Sequence, residues 1–340
     1  MDLRNRTPFA AAWLVTLDKS AAEHITVVIK GTYSIRDDGT LSLLEKQPPP
    51  RPADEFHGEP GASSIKYAAE LGPMKPATDV ALVGSAVASR GGARAMEVSF
   101  RVGPLAKRAR AYGDRRWSGF LWWRLKSGPK PFERMPLVYE RACGGSDDSP
   151  RDASRRGREA RNPVGRGYAA KGSRRPWKGS ALPNLEDPAR AFKQPGTKLP
   201  PPAGFGFIGR DWEPRLSYAG TYDEAWTKER MPLLPLDFDE RHHNAAHPDL
   251  VAEGYLSGSE PVEVRGCTRS GRLQFLLPGA SPTVTLRFGA ESVPMDVHLE
   301  TVLVDTDAME LGLVWKGDLE IHGRLPELTA IECAGGRGAS

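Results

Sequence analysis

A run of β-branched residues, Ile25-Thr26-Val27-Val28-Ile29, continues through Thr32-Tyr33-Ser34-Ile35 and is followed by Asp37-Asp38-Gly39 and Leu41-Ser42-Leu43-Leu44. β-Branched side chains pack well on a pleated surface, and Asp-Gly supplies the positive φ of a tight hairpin turn, so this stretch reads as strand, turn, strand. Similar signals follow. Asp79–Val87 is a second apolar run, and Gly91-Gly92 turns the chain into Ala95–Val102, where apolar and polar residues alternate with period two. Residues 261–321 return to strands at Leu273–Leu277, Thr283–Phe288, Met295–Val304 and Glu310–Trp315, with Asp305-Thr306-Asp307 as a turn between the last two.

The two strand-rich ends flank an irregular middle. The chain of 340 residues holds 36 glycines and 30 prolines, roughly one residue in five against about one in eight ordinarily, which argues against a helical bundle. Residues 47–52 are proline-rich and read as an extended connection. Residues 181–250 combine proline with aromatics and read as long ordered loops held by Trp212, Tyr222, Trp226 and Phe238 packing inward. Residues 143–180 carry 10 Lys+Arg and 4 Asp+Glu, and aliphatic residues almost vanish from 144 to 163. Such a composition predicts a flexible basic insertion at about 146–176, with 146–160 mobile. The prediction is a single mainly β domain over residues 1–330, strand-rich in 1–142 and 181–330. Its sheets are antiparallel and sandwich- or barrel-like, with few short helices and long Pro/Gly-rich loops. Residues 334–340 read as a frayed tail.

Composition removes several classes. Cys143, Cys267 and Cys333 fit neither a metal knuckle nor a redox pair, and an odd count argues against a disulfide framework. No stretch of about 18 apolar residues is present, and the charged N-terminus lacks the apolar run of a signal peptide, so the expected location is cytoplasmic, away from membranes.

Signatures of catalysis are sparse. Gly165-Arg166-Gly167-Tyr168-Ala169-Ala170 has the spacing of a dinucleotide fingerprint but follows a basic stretch rather than a strand, so it reads as a turn re-entering the fold. His242, His243 and His247, with Asp239 or Asp249, have the residue types of a zinc site; flanking Pro235 and Pro248 favour a polar loop instead. Asp211/Glu213 and Asp223/Glu224 are the carboxylate pairs a carbohydrate-active hydrolase would need. Bases in 151–178, with Tyr168 and Trp177, are the features of a nucleic-acid binder, but four acids stand among the bases of residues 143–180. A second basic region, Arg101 to Lys130, surrounds Trp117, Trp122 and Trp123 and reads as one face of strands suited to a protein interface.

Several strings recur in a recognisable order: Lys75-Pro76-Ala77-Thr78-Asp79-Val80, Gly113-Asp114-Arg115-Arg116-Trp117, Pro131 to Gly145, Asn162-Pro163-Val164-Gly165-Arg166-Gly167 and Leu182-Pro183-Asn184-Leu185-Glu186. They continue with Pro202-Ala203-Gly204-Phe205-Gly206, Trp212-Glu213-Pro214-Arg215, Ala219 to Trp226 and Leu234 to Asp239. In this order the chain resembles the bacterial domain-of-unknown-function family 2169 over about residues 1–320. The resemblance implies a non-enzymatic adaptor or chaperone that binds a type VI secretion effector and helps load it onto the VgrG–PAAR spike, without cofactor, metal or catalytic residues. The chain departs from the family at Arg241-His242-His243-Asn244, where an aromatic is common, and at Ala142-Cys143-Gly144-Gly145, where Cys143 reads as a small packing residue.

An adaptor needs a fixed surface, and charged strings in the loops are suited to fixing it. The expected ion pairs are Lys75 with Asp79, Asp114 with Arg115, and Arg215 with Asp223. Together with Trp117, Trp212, Tyr222 and Trp226, these are the candidate scaffold and partner-binding residues.

Overall fold

The Ile25–Ile35 run forms one long strand, Glu23–Ile35, in which Ile25 through Tyr33 are all buried. Leu41–Leu43 folds back on its C-terminal end across a turn with Gly39 at φ +88°, so the hairpin read from the sequence is present. The computed structural model describes residues 2–89, 91–119 and 124–335; Trp122 and Trp123 lie outside them.

Three sheets carry the fold. The largest has the order Ala10–Leu17, Glu23–Ile35, Glu310–Glu320, Val297–Asp305, Asp79–Val83, antiparallel except for the parallel last pair. A second has the order Leu185–Glu186, Leu105–Tyr112, Ala95–Val102, Pro261–Arg265, Arg272–Leu276. The third joins both ends of the chain: Asp2–Asn5 lies parallel to Leu328–Gly335, which pairs with Pro282–Phe288 and through it with Glu291–Met295. Ala334 and Gly335, expected in the frayed tail, pair with Thr283 and Pro282, while residues 336–340 lie outside the described residues.

One core is shared by all three sheets. Ile25, Val27 and Ile29 meet Val98, Phe100 and Val102 of the second sheet and Val284, Leu286 and Ile331 of the third. Each such side chain contributes about 1.5–3 kcal/mol on burial. The second sheet shows the alternation most clearly: Val98, Phe100 and Val102 are buried, while Glu97, Arg101, Arg108 and Arg110 are exposed. Its central hairpin closes with Gly103-Pro104, and Gly103 adopts φ +52° as a two-residue loop requires.

The large sheet is covered on its other face as well. Ala81, Val83 and Leu303 pack there against Ile65, Ala68, Phe207 and Ala245 from long loops. The same face carries Lys30 and Lys316, which are therefore buried within strands that otherwise read as apolar.

The basic segment is more structured than its composition suggested. Ser146–Asp147 pairs with Gly157–Arg158, and Cys143–Gly144 lies parallel to Arg166–Gly167. Asp147 is buried and accepts hydrogen bonds from the Ser149 and Ala170 amides, with Arg175 3.3 Å away. These polar anchors substitute for the apolar residues that the segment lacks. The Gly165–Gly167 string is thus a backbone crossing.

Candidate functional site

The loops over the large sheet enclose a cleft of about 470 Å³ above a layer of buried charge. Lys75 Nζ lies 3.0 Å from Asp79 Oδ2 and donates to Thr301 Oγ1 at 2.7 Å. Asp79 also accepts from Asn244 Nδ2 and the Ala245 amide, so one carboxylate ties two distant loops to the sheet. Glu300 accepts the Lys75 amide and lies 3.1 Å from Lys316 Nζ. Glu70 bridges Lys30 at 2.7 Å and Arg51 at 2.6 Å.

Burial opposes the ammonium of Lys75, but the carboxylates of Asp79 and Glu300 outweigh it and raise its pKa. For Lys30 and Lys316 burial prevails and the pKa is lowered. The pair Lys75–Asp79 was legible from its spacing of four residues. Glu70, Glu300, Lys30 and Lys316 were not singled out, although a lysine inside a buried strand signals a buried partner.

The segment above this layer, residues 215–238, is closed by its own bonds. Gly220 turns at φ +80°, where a Cβ would meet Pro235 and Asp237 at 2.8–2.9 Å. Asp237 accepts from the Thr221 amide and hydroxyl. Asp223 caps Glu224–Glu229, the one α-helix among the described residues, by accepting the Trp226 amide at 2.8 Å. Trp226 stands edge-on to Tyr222, ring centroids 4.7 Å apart, and donates its indole N–H to Leu233 O. Arg230 reaches the carbonyls of Lys19 and Leu234.

Two expected ion pairs do not form, and their side chains take other partners. Arg215 does not reach Asp223, which is used by the helix cap; its guanidinium donates to His242 O at 3.0 Å and Ile208 O at 2.7 Å. Asp114 does not pair with its neighbour Arg115, because adjacent side chains leave the backbone in different directions. Arg115 is buried 2.6 Å from Glu186 and lies over the Tyr112 ring, while Asp114 is exposed and accepts from Asn184. Tyr222 was expected to pack inward but is 52% exposed, since it covers Trp226 rather than the core. Trp117 is buried against Phe192, Trp212 against Tyr139, and Phe238 against His242 and His243.

The other candidates are dispersed. Asp211 pairs with Arg158, Glu213 accepts from Ser217, and Glu224 pairs with Lys228. Arg155, Arg161 and Arg175 face Asp152, Glu159 and Asp147, so much of the basic segment is neutralised locally. His247 faces Lys107 and Asp249, away from His242 and His243, which pack on Phe238. Among the described residues no group of three or more His, Cys, Asp or Glu side chains is placed to hold a metal ion. Cys143 is buried, and burial raises its thiol to about 12, in keeping with a packing role. No helix among the described residues is long and apolar enough to cross a membrane.

The segment over the cleft exposes several large apolar side chains. Leu216, Tyr222, Met231 and Leu236 are 44%, 52%, 62% and 75% exposed within one stretch of chain. Tyr222, Leu233 and Leu234 line the cleft together with Leu17 from the end of an edge strand. Such a surface is suited to holding a protein segment.

A family model described as "Uncharacterized protein conserved in bacteria (DUF2169)" matches residues 20–316. Neither a curated protein nor a solved structure matches the chain.

Proposed function

This chain belongs to the DUF2169 family, and we propose that it is a non-enzymatic cytoplasmic adaptor that holds a type VI secretion effector and helps load it onto the VgrG–PAAR spike. The observation that carries this reading is the set of exposed apolar side chains Leu216, Tyr222, Met231 and Leu236 in one segment, of which Tyr222 lines the cleft. Exposed large apolar groups gathered in one segment favour a protein partner, because isolated soluble surfaces spread them out. The segment is held in place by its Thr221–Asp237 bonds, its helix cap and the reach of Arg230 to the Lys19 carbonyl. A preorganised surface loses little conformational entropy on binding, and an adaptor needs that more than a reaction centre.

The test is purification of the tagged protein from its native host with mass spectrometry of what stays bound. A toxin-domain protein together with VgrG or PAAR supports the reading. A partnerless chain whose deletion leaves effector delivery intact overturns it, and would redirect the search to substrates for the loop carboxylates.

A further inference from the structure

Buried guanidinium groups are ordinarily matched by a carboxylate, because a lone charge in a low-dielectric site is costly. Arg115 follows this rule with Glu186. Arg215 does not. It is only 5% exposed, yet it has no ion pair among the described residues and donates only to two carbonyls, through Nε and one Nη. Its second Nη has no acceptor among the described residues and is not sealed from solvent, and the side chain lines the cleft.

The nearby acids are already used. Asp79 accepts from Lys75, Asn244 and Ala245; Asp54 accepts the Ala69 amide; Asp211 faces Arg158. Asp18, at the cleft edge, accepts the Ser20 and Ala22 amides. Arg210 also lines the cleft, is exposed, and has no hydrogen bond or ion pair among the described residues. Lys75 and Lys316 below it are matched by Asp79 and Glu300, so Arg215 and Arg210 are the cleft's arginines without an ion-pair partner among the described residues. Burial, with the positive charge of His242, Lys316, Arg215 and Arg210, lowers His243 to about 4.

We propose that this cleft is a carboxylate seat: Arg215 and Arg210 receive the acidic side chain of an extended partner segment whose flanking residues are apolar. The floor supplies the charge complement, with guanidinium N–H groups in the planar arrangement that suits a carboxylate. Apolar side chains from three separate stretches ring it: Leu17, Leu71 with Pro73, and Leu233 with Leu234. They specify apolar neighbours on both sides of the acid. The partner's carboxylate thus completes the ion pair that the chain leaves open. This deepens the adaptor reading by naming what the docking segment contains, and it rests on that reading for the partner being a protein.

The test uses the purified full chain and two blocked peptides, acetyl-Leu-Glu-Leu-amide and acetyl-Leu-Gln-Leu-amide. Binding is followed by NMR of the arginine Nε–H groups. The glutamate peptide is expected to shift the Arg215 signal and to bind at least about tenfold more tightly than the glutamine peptide. Arg210→Ala, at an exposed position, is expected to remove most of that preference while leaving the melting temperature unchanged. Arg215→Gln is a second variant, read only if it folds. Equal binding of the two peptides, no binding of either, or an unchanged preference in Arg210→Ala overturns the proposal. Those outcomes leave the adaptor reading standing, because co-purification from the host tests it independently.

Discussion

Lys75 and Asp79, four residues apart, are joined at 3.0 Å beneath two layers of chain, with Asp79 wholly shielded from solvent. The loop before the Asp79–Val83 strand, the Asn244–Ala245 turn and Thr301 of the neighbouring strand all depend on this pair. Removing the carboxylate leaves a buried ammonium and two unpaired donors. Asp79→Ala is therefore expected to cost about 3–5 kcal/mol in denaturant unfolding. A cost below about 1 kcal/mol would contradict the role given to the pair.

Arg115 lies beside Asp114 in sequence but pairs with Glu186, 71 residues away. A double-mutant cycle of Arg115→Ala with Glu186→Ala is expected to show a coupling of about 1–3 kcal/mol, and one with Asp114→Ala almost none. Asp114 alone is exposed and accepts from Asn184, so Asp114→Ala is expected to change stability by less than about 1 kcal/mol.

Gly31 sits in the long strand where Phe9 and Trp315 stack, ring centroids 5.2 Å apart. A Cβ there would come within 2.9 Å of the Phe9 ring. Gly31→Ala is expected to destabilise by about 1–3 kcal/mol through overpacking. Thermal unfolding measures this, and a stabilised variant would show that the rings are free to part.

His243 and His247 are both lowered to about 4, from 6.5, principally by burial. His243 Nε2 lies 3.1 Å from Glu240 Oε2, a carboxylate that favours the charged ring but does not outweigh burial and the surrounding positive charge. Between pH 6.5 and 4 the unfolded chain binds protons that the folded chain refuses. Stability is thus expected to fall as pH falls through that window, by roughly 3 kcal/mol for His243 at its lower end, with His247 acting in the same direction. His243→Gln is expected to flatten part of this slope in urea titrations at several pH values. An unchanged slope would place the acid sensitivity elsewhere.

The sequence displayed the strands because their cause is local. Alternation in Ala95–Val102 and the β-branched run at Ile25 state which faces are buried without reference to the rest of the chain. Lys75–Asp79 was legible for the same reason, both partners lying within one short string. Arg115–Glu186 and Lys316–Glu300 were not, since their partners are brought together only by strand order. Tyr222 illustrates a different limit. Aromatic residues default to the interior, and only the closure of residues 215–238 on itself shows that its ring covers Trp226 and faces outward. In the basic segment the contacts of Asp147 with the Ser149 and Ala170 amides were not legible either, because composition reports apolar burial and not hydrogen bonds.

The central claim is that the exposed apolar side chains of the segment 215–238 hold the partner. The most direct measurement is co-purification from the native host of the wild-type protein beside Tyr222→Asp and Leu236→Asp, each with its melting temperature. Both side chains are more than half exposed, so folding is expected to change little. The account predicts that the wild type retains an effector together with VgrG or PAAR, and that both variants lose them while remaining folded. Folded variants that retain their partners as well as the wild type would contradict it.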